Sequence, residues 1–466
     1  MNDIPQTNPI IPKNFAPVIK LFIIGFIILV LLIPVVWIST IIKERYDRKD
    51  NVAKEIASKW GADQLVSGPF ICIPYNTVIY KQDNTGNEKT TIITNYLHIT
   101  PETASITGQV ESVEQHRGIF KVAGYKAVLD ITSDFPKDIE LSSLPNGAVL
   151  DWNNALVAFD LKDERGLKEL TGNLNGKALT FNRSANVLSV SSPMEELNDL
   201  RKKNKYAYDN DSDEAITFKF EAKTPVDIST AKAQINLHLV LTGTQQLSFL
   251  TSAINETISL QGDWTAPSFT GDLLPDARTV DSKGFTASWH TNYLNTGNKQ
   301  FWTSKEPTLK LSNLGVKFLI MVDAYQQTTR TLKYAVLFLL LTFMAFFFTE
   351  TVTRQRIHPI QYLMVGCSLV IFYLLLLSVS EHLAFGWSYL IASFGVVMQI
   401  SLYSYSILKT RKFALQVGSL LTAIYAFLYI LLQLEDSALL VGSISLFVLL
   451  GVAMYVIRNV KWYNQE

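Results

Sequence analysis

Residues 358–382 read HPIQYLMVGCSLVIFYLLLLSVSEH, and this stretch decides the class of the protein. Its middle, Ile360–Ser380, is almost wholly apolar, and about 20 such residues in a helix cross a bilayer core of ~30 Å. The flanks are different, because His358 and Pro359 stand at one end and Glu381 and His382 at the other. A span that finishes on an acid and an imidazole has two interpretations, a mark of orientation or a functional site.

Further apolar runs of similar length predict five more transmembrane helices. They are Leu21–Ile42, Thr331–Thr349, Leu383–Leu408, Phe413–Leu434 and Ala438–Ile457. The first is predicted to be an uncleaved anchor rather than a signal peptide, because it is longer than a typical signal-peptide core and no A-x-A-like site follows it. Pro34 inside this run predicts a kink.

The basic residues of the short loops predict the orientation. Every second loop is basic, while the loops at Glu381–His382 and Glu435–Asp436 have no Lys or Arg. The basic positions are Lys13, Lys20, Arg354, Arg356, Lys409, Arg411, Lys412, Arg458 and Lys461. The positive-inside rule then places both termini in the cytoplasm and residues 43–330 outside it.

The long polar region between the first two spans predicts a β-rich domain. The anchor helix is expected to continue past the membrane, since Ala53, Ile56, Ala57 and Trp60 recur at helical spacing. After Gly61 the period becomes two, as in QINLHLVL (residues 234–241), which is typical of half-buried strands. The charged segment 192–214 is predicted to be a helix followed by a mobile loop.

These patterns together predict an α+β membrane protein. Its parts are a cytoplasmic tail (1–20), an anchor helix (21–42), an extracytoplasmic and mainly antiparallel β domain (43–330), a bundle of five transmembrane helices (331–457) and a second cytoplasmic tail (458–466). The net charge is zero, which gives no reason to expect a nucleic-acid partner. Cys72 and Cys367 lie in a polar and an apolar region, so a disulfide between them is not expected.

Catalytic signatures are missing from the sequence, which predicts no enzyme activity and no cofactor. It has no P-loop, G-x-S-x-G, H-E-x-x-H or G-x-G-x-x-G motif, and its six histidines lack ligand-spaced partners. The deep interior of the predicted spans carries no ionisable residue, which disfavours a coupled transporter. Trp264, Trp289 and Trp302 allow a binding surface, although burial in a β core is the favoured interpretation.

Several longer motifs carry a family resemblance. They include ETVTRQRIHPIQYLMVG (350–366), FYLLLLSVSEH (372–382), FGWSYLIAS (385–393), RGIFKVAGYKAVLDI (117–131) and PSFTGDLLP (267–275). With them the chain resembles the CreD family of bacterial inner-membrane proteins over nearly its whole length. The resemblance implies a role in cell-envelope integrity, with links to colicin tolerance, β-lactam stress and a two-component regulatory system. It places eight candidate functional residues on the family motif, without roles: Arg356, His358, Pro359, Gln361, Tyr362, Glu381, His382 and Trp387.

Two functional hypotheses follow. The favoured one is a non-enzymatic envelope-integrity protein in the inner membrane, whose outer domain contacts another envelope protein or a peptidoglycan-related component. In this hypothesis Glu381 and His382 bond to the outer domain and fix its angle on the bundle. The alternative is a membrane enzyme or a lipid or small-molecule transporter that uses Glu381 and His382 at the outer interface.

Overall fold

The computed structural model describes most of the chain and divides it into two compact units. One unit, here the β unit, is Asn51–Met321, and the rest of the chain forms the other, here the helical unit. The described residues are 16–82, 88–138, 144–145, 148–190, 216–224, 232–303, 311–318, 324–353, 357–408, 411–434, 440–444, 447, 451 and 454. The charged segment 192–214, for which a helix and a loop were predicted, lies outside them.

The described strands of the β unit form two sheets. In chain order they are β1 (Gln64–Gln82), β2 (Glu88–Ile99), β3 (Thr103–Arg117), β4 (Phe120–Asp134), β5 (Val149–Leu150), β6 (Leu156–Leu161), β7 (Leu167–Leu174), β8 (Lys177–Ala178), β9 (Asn182–Val190), β10 (Ile216–Lys223), β11 (Gln234–Thr244), β12 (Gln246–Leu250), β13 (Asn255–Gly262), β14 (Pro267–Gly271), β15 (Ala277–Asp281), β16 (Gly284–Asn292), β17 (Phe301–Thr303) and β18 (Asn313–Phe318). One sheet follows the order β14-β18-β12-β1-β6-β10-β9, with β2, β5 and β17 paired off that path. The other follows β15-β16-β13-β3-β4-β11-β7-β8.

The strand pairing is mixed. Among the described strands, β1 pairs in parallel with β12, and β13 in parallel with β3. The remaining described pairings are antiparallel, including the long hairpin of β3 and β4. The β-rich domain predicted from the sequence is therefore confirmed, and the two parallel pairings are long-range features that local patterns do not reveal.

A hydrophobic core takes side chains from both sheets, such as Phe159 of β6 and Leu239 of β11. Strand β11 shows how the sequence builds it, because Ile235, Leu237, Leu239 and Leu241 are buried while the residues between them are less so. Successive side chains of a strand point to opposite faces, so the alternation read from the sequence places one face in the core.

The tryptophans of the β unit are core residues rather than an open aromatic surface. Trp289 and Trp302 are 1% and 2% exposed. Trp264 is partly buried, and its indole N–H donates to the carbonyl of Ala266 at 3.2 Å. The interpretation of these residues as buried aromatics is confirmed for Trp289 and Trp302.

The described helices are α1 (Ala16–Trp60), the one-turn α2 (Tyr293–Thr296), α3 (Ala324–Lys333), α4 (Ala335–Thr353), α5 (Pro359–Ser380), α6 (Phe385–Leu408) and α7 (Arg411–Gln433). The boundary between the two units falls within α1, at Asp50–Asn51. Helix α1 contains Pro34 and extends through the predicted anchor to Trp60, so the predicted continuation of the anchor helix is confirmed.

Four described helices are long and apolar enough to cross a membrane, namely α1, α5, α6 and α7. Helices α3 and α4 meet the same criterion together, with a bend of 49° between them. The predicted second span, Thr331–Thr349, crosses this bend. The bend falls where the sequence changes from the polar AYQQTTRTLK of α3 to the apolar AVLFLLL of α4. Only the apolar part is suited to lipid. The last predicted span, Ala438–Ile457, lies mostly outside the described residues, and the count of six spans stays a prediction.

Candidate functional site

The first turn of α5 uses three of the candidate residues as a helix cap. His358 is the N-cap residue, and its Nδ1 accepts a hydrogen bond from the Ile360 N–H at 3.3 Å. The side-chain oxygen of Gln361 accepts from the His358 N–H at 2.8 Å, which completes a capping box. Pro359 occupies the first helical position, as predicted, where its missing N–H costs nothing. These residues therefore define where α5 begins.

Tyr362, one turn into α5, belongs to a group of contacts here called the Glu350 cluster: Lys20, Glu350, Ile357 and Tyr362. The Tyr362 hydroxyl donates to Oε2 of Glu350 at 2.9 Å, and the Tyr362 side chain is 1% exposed. The other carboxylate oxygen of Glu350 accepts from the Lys20 ammonium group and from the Ile357 N–H, the latter at 3.2 Å. Lys20 also donates to the Ile357 carbonyl at 2.7 Å and lies 5.6 Å from the centre of the Tyr362 ring.

The opposite end of α5 carries a second group of contacts, here called the Glu381 junction: Arg45, Tyr325 and Glu381. Glu381 is the C-cap residue of α5, and its side chain is 12% exposed. Its Oε1 accepts from the Tyr325 hydroxyl of α3 at 3.2 Å and lies 3.6 Å from Nε of Arg45 on α1. Side chains of three helices thus meet at one carboxylate.

The Glu381 junction involves the two helices that flank the β unit in the sequence. Helix α1 leads into the β unit, where β1 begins at Gln64, and α3 follows β18, which ends at Phe318. Glu381 therefore contacts both of the helices through which the chain enters and leaves the β unit. Arg45 and Tyr325 are far apart in sequence. Tyr325 lies in FLIMVDAYQQTTRTLKY (318–334), one of the segments that carry the family resemblance, and Arg45 lies outside those segments.

The remaining candidates have different surroundings. The His382 side chain is exposed, and its backbone N–H donates to the Val379 carbonyl at 3.1 Å. Trp387 is 67% exposed in the first turn of α6, a position that suits an aromatic residue at a membrane interface. Arg356 lies outside the described residues.

The candidate residues do not form one site. The α5 helix has 22 residues, so its capped start and the Glu381 junction are about 33 Å apart at 1.5 Å per residue. Lys20 and Glu350 were not among the candidates, because Lys20 reads as an orientation charge and Glu350 as a residue near the end of an apolar run. The sequence signal that could have identified this cluster is the Glu350 carboxylate, since an ionisable residue close to the membrane interior is expected to have a partner.

In the β unit, burial shifts the pKa of several titratable side chains. Burial raises the pKa of Glu256 on β13 to about 7, although Ser252 donates hydrogen bonds to its carboxylate from the backbone N–H at 3.1 Å and from the hydroxyl at 3.4 Å. Burial lowers the pKa of His98 to about 3. His98 is stacked on Trp302 and lies 3.1 Å from the Cys72 sulfur, so its ring stays neutral and acts as a core aromatic.

Comparison with known proteins identifies the family. A family model described as "Inner membrane protein CreD" matches residues 16–463. The chain belongs to the CreD family. It is 32% identical over 445 residues to the inner membrane protein CreD of Escherichia coli (strain K12), which covers 94% of this chain and 91% of that protein. The resemblance inferred from the motifs is confirmed, and the chain is an inner membrane protein with several transmembrane helices. The CreD family is not known as a family of enzymes.

Proposed function

We propose that this CreD-family protein supports cell-envelope integrity and the response to envelope stress without catalysing a reaction. In this proposal both termini are cytoplasmic, residues 43–330 are periplasmic, and the β unit contacts another envelope protein or a peptidoglycan-related component. The observation that carries the proposal is the Glu381 junction. It joins the two helices that connect the membrane-embedded part to the β unit, which is where a signal or a mechanical load would pass.

The attachment of α1 to the β unit supports this proposal. The last two turns of α1 are held by side chains of the β unit: Arg117 pairs with Glu55, Arg165 donates to the Ser58 carbonyl at 3.1 Å, and the Thr242 hydroxyl donates to the Trp60 carbonyl at 2.7 Å. Bonds to main-chain carbonyls at a helix C-terminus fix its last turn, because these groups have no partner within the helix. The last turns of α1 therefore belong to the β unit, and the same helix carries Arg45 in the helical unit.

The chemistry of the Glu381 junction also favours the non-enzymatic hypothesis over an enzyme or a transporter. The Glu381 carboxylate accepts a hydrogen bond from the Tyr325 hydroxyl and faces the Arg45 guanidinium, so its described contacts go to side chains of two other helices. These contacts suit a structural role that holds helices together. His382, which the alternative hypothesis pairs with Glu381, is exposed.

The test compares substitutions of Glu381 in cells that express equal amounts of each variant in the membrane. If Glu381 holds helices together, Glu381→Gln, which keeps the shape and one acceptor oxygen, is expected to impair survival of envelope stress less than Glu381→Ala. His382→Asn is likewise expected to be milder than His382→Ala. A general acid or base would lose its function equally with Gln or Ala, because neither exchanges a proton. Equal and complete loss with both Glu381 variants, in folded and inserted protein, would favour the enzyme hypothesis.

A further inference from the structure

Helix α1 carries a continuous buried stripe within the helical unit. The residues Ile24, Ile27, Leu31, Val35, Ile38 and Ile42 are each at most 8% exposed and recur at steps of three and four. Lys20 and Arg45 extend the same spacing by one step at either end. Phe22, Phe26, Leu29, Ile33 and Trp37 are all at least 64% exposed, as expected for the face toward lipid. One face of α1 is therefore packed over its whole apolar length, which is more than an isolated anchor requires.

The middle of this stripe packs against Gly366, a small residue of α5. A Cβ atom at Gly366 would overlap Cδ1 of Leu31 and would lie 2.8 Å from Cζ of Phe343. A side chain at this position would require Leu31 or Phe343 to shift, so Gly366 lets Leu31 approach the α5 backbone, in the way that small residues permit close contact between membrane helices. This packing contact defines one axial position of α1 against α5.

Both ends of the stripe finish on a basic residue next to a carboxylate. Lys20 binds Glu350, which also accepts from Tyr362, and Arg45 lies near Glu381, which also accepts from Tyr325. The Glu350 end is the more enclosed, since the side chains of Lys20 and Glu350 are 20% and 13% exposed, whereas Arg45 is 49% exposed. A half-exposed pair contributes little, but separation of a pair that is largely removed from water leaves a charge without compensation.

We propose that the Glu350 cluster is a lock that fixes the axial position of α1 against α4 and α5. A slide of α1 by one helical turn, about 5.4 Å, would take Lys20 away from Glu350 and Leu31 away from Gly366. Separation of Lys20 and Glu350 is costly because both side chains are largely removed from water. This inference concerns the position of α1 and does not depend on the proposed envelope function, so it can fail or hold independently of it.

The experiment measures the distance between α1 and α6 in the full-length chain, in lipid nanodiscs. Spin labels are attached to cysteines that replace Trp37 and Phe394, which are 67% and 71% exposed, after Cys72 and Cys367 have been replaced by alanine. Pulsed electron paramagnetic resonance gives the distance distribution, and the melting temperature is recorded for each variant. The lock variants are Glu350→Gln, Lys20→Met and the pair Lys20→Met with Glu350→Met. Lys59→Met is the matched control, because Lys59 is exposed and makes a surface pair with Glu55.

The reference protein and the control are expected to give a single narrow distance distribution. The single lock variants should broaden it or shift it by about 5 Å, and should lower the melting temperature by about 5 °C. The double methionine variant should recover most of the melting temperature, because no charge is left unpaired, but should keep the broad distribution.

Two results would overturn the proposal. The first is an unchanged narrow distribution in the double methionine variant, since α1 would then hold its position without the lock. The second is equal broadening in the Lys59→Met control. If the single variants do not fold, the double methionine variant alone decides the question.

Discussion

The Tyr325 hydroxyl and the Glu381 carboxylate lie 3.2 Å apart, and this bond fastens the start of α3 to the end of α5. Tyr325 is 7% exposed, so the bond is formed largely away from water. The same carboxylate oxygen faces Arg45 of α1 at 3.6 Å. One residue at the end of a transmembrane helix therefore holds both helices that continue into the β unit, which makes it the first place to disturb experimentally.

The two partners of Glu381 should contribute unequally to stability. Tyr325→Phe removes the hydroxyl and is expected to lower the free energy of unfolding by about 2 kcal/mol, because a hydrogen bond to a charged acceptor is lost. Arg45→Gln should cost less than about 1 kcal/mol, since Arg45 is half exposed and its pair is screened. Denaturant unfolding of the full chain in detergent measures both free energies. A larger effect of Arg45→Gln would mean that the ion pair, rather than the hydroxyl, holds the junction.

Substitutions of His358, the N-cap residue of α5, should lower the free energy of unfolding by different amounts. His358→Ala removes the acceptor for the Ile360 N–H and is expected to cost about 1 kcal/mol, whereas His358→Asn should be nearly neutral because asparagine is itself a good N-cap residue. The free energy of unfolding of each variant checks this. Equal losses for Ala and Asn would show that His358 acts through its ring rather than as a cap.

The orientation of the chain is open to a direct test. A reporter enzyme that is active only in the periplasm should be active when fused near Asn210 and inactive when fused after Glu466, because alternate loops are basic. The amount of each fusion in the membrane serves as the control. Activity of the C-terminal fusion would remove at least one span from the predicted set of six.

The β unit should fold when released from the membrane. A fragment of residues 61–320 is expected to give a circular dichroism spectrum dominated by strand, since both sheets and their shared core lie within it. The longer fragment 51–321 should melt at a higher temperature, because it retains the helical turns that Arg117 and Thr242 hold. A mainly helical spectrum, or equal melting temperatures, would contradict the respective expectation.

Glu256 should make the β unit less stable as the pH rises. Its pKa is about 7 in the folded unit and near 4.5 when unfolded, so between these values the folded state binds more protons and stability falls with increasing pH. The loss is on the order of 3 kcal/mol and should be complete above pH 7. Glu256→Gln is expected to flatten this slope between pH 5 and pH 8, as measured by unfolding of the 51–321 fragment. The exposed Glu111, changed to Gln, is the control. An unchanged slope in Glu256→Gln would show that another group causes it.

Local patterns determined much of this protein. Apolar runs identified α1, α5, α6 and α7, and the two-residue alternation identified strands such as β11. The change from helical to strand period placed the end of α1 near Gly61, and Pro359 marked the start of α5. These features follow from the sequence because each depends on residues within a few positions of one another, through burial of one face or through a cap.

Tertiary structure alone decided which polar side chains meet. Lys20 and Glu350 are separated by 330 positions, and Tyr325 and Glu381 by 56. The sequence predicted Glu381 and His382 as a pair, but the fold turns Glu381 toward Tyr325 and Arg45 and leaves His382 exposed. The fold also separates the candidate residues, because some lie at the start of α5 and others at its end. The physical reason is that such contacts depend on how helices pack and on the register in which they pack. A membrane helix shows its hydrophobicity in its sequence, whereas the partner of each charge is set only when the helices come together.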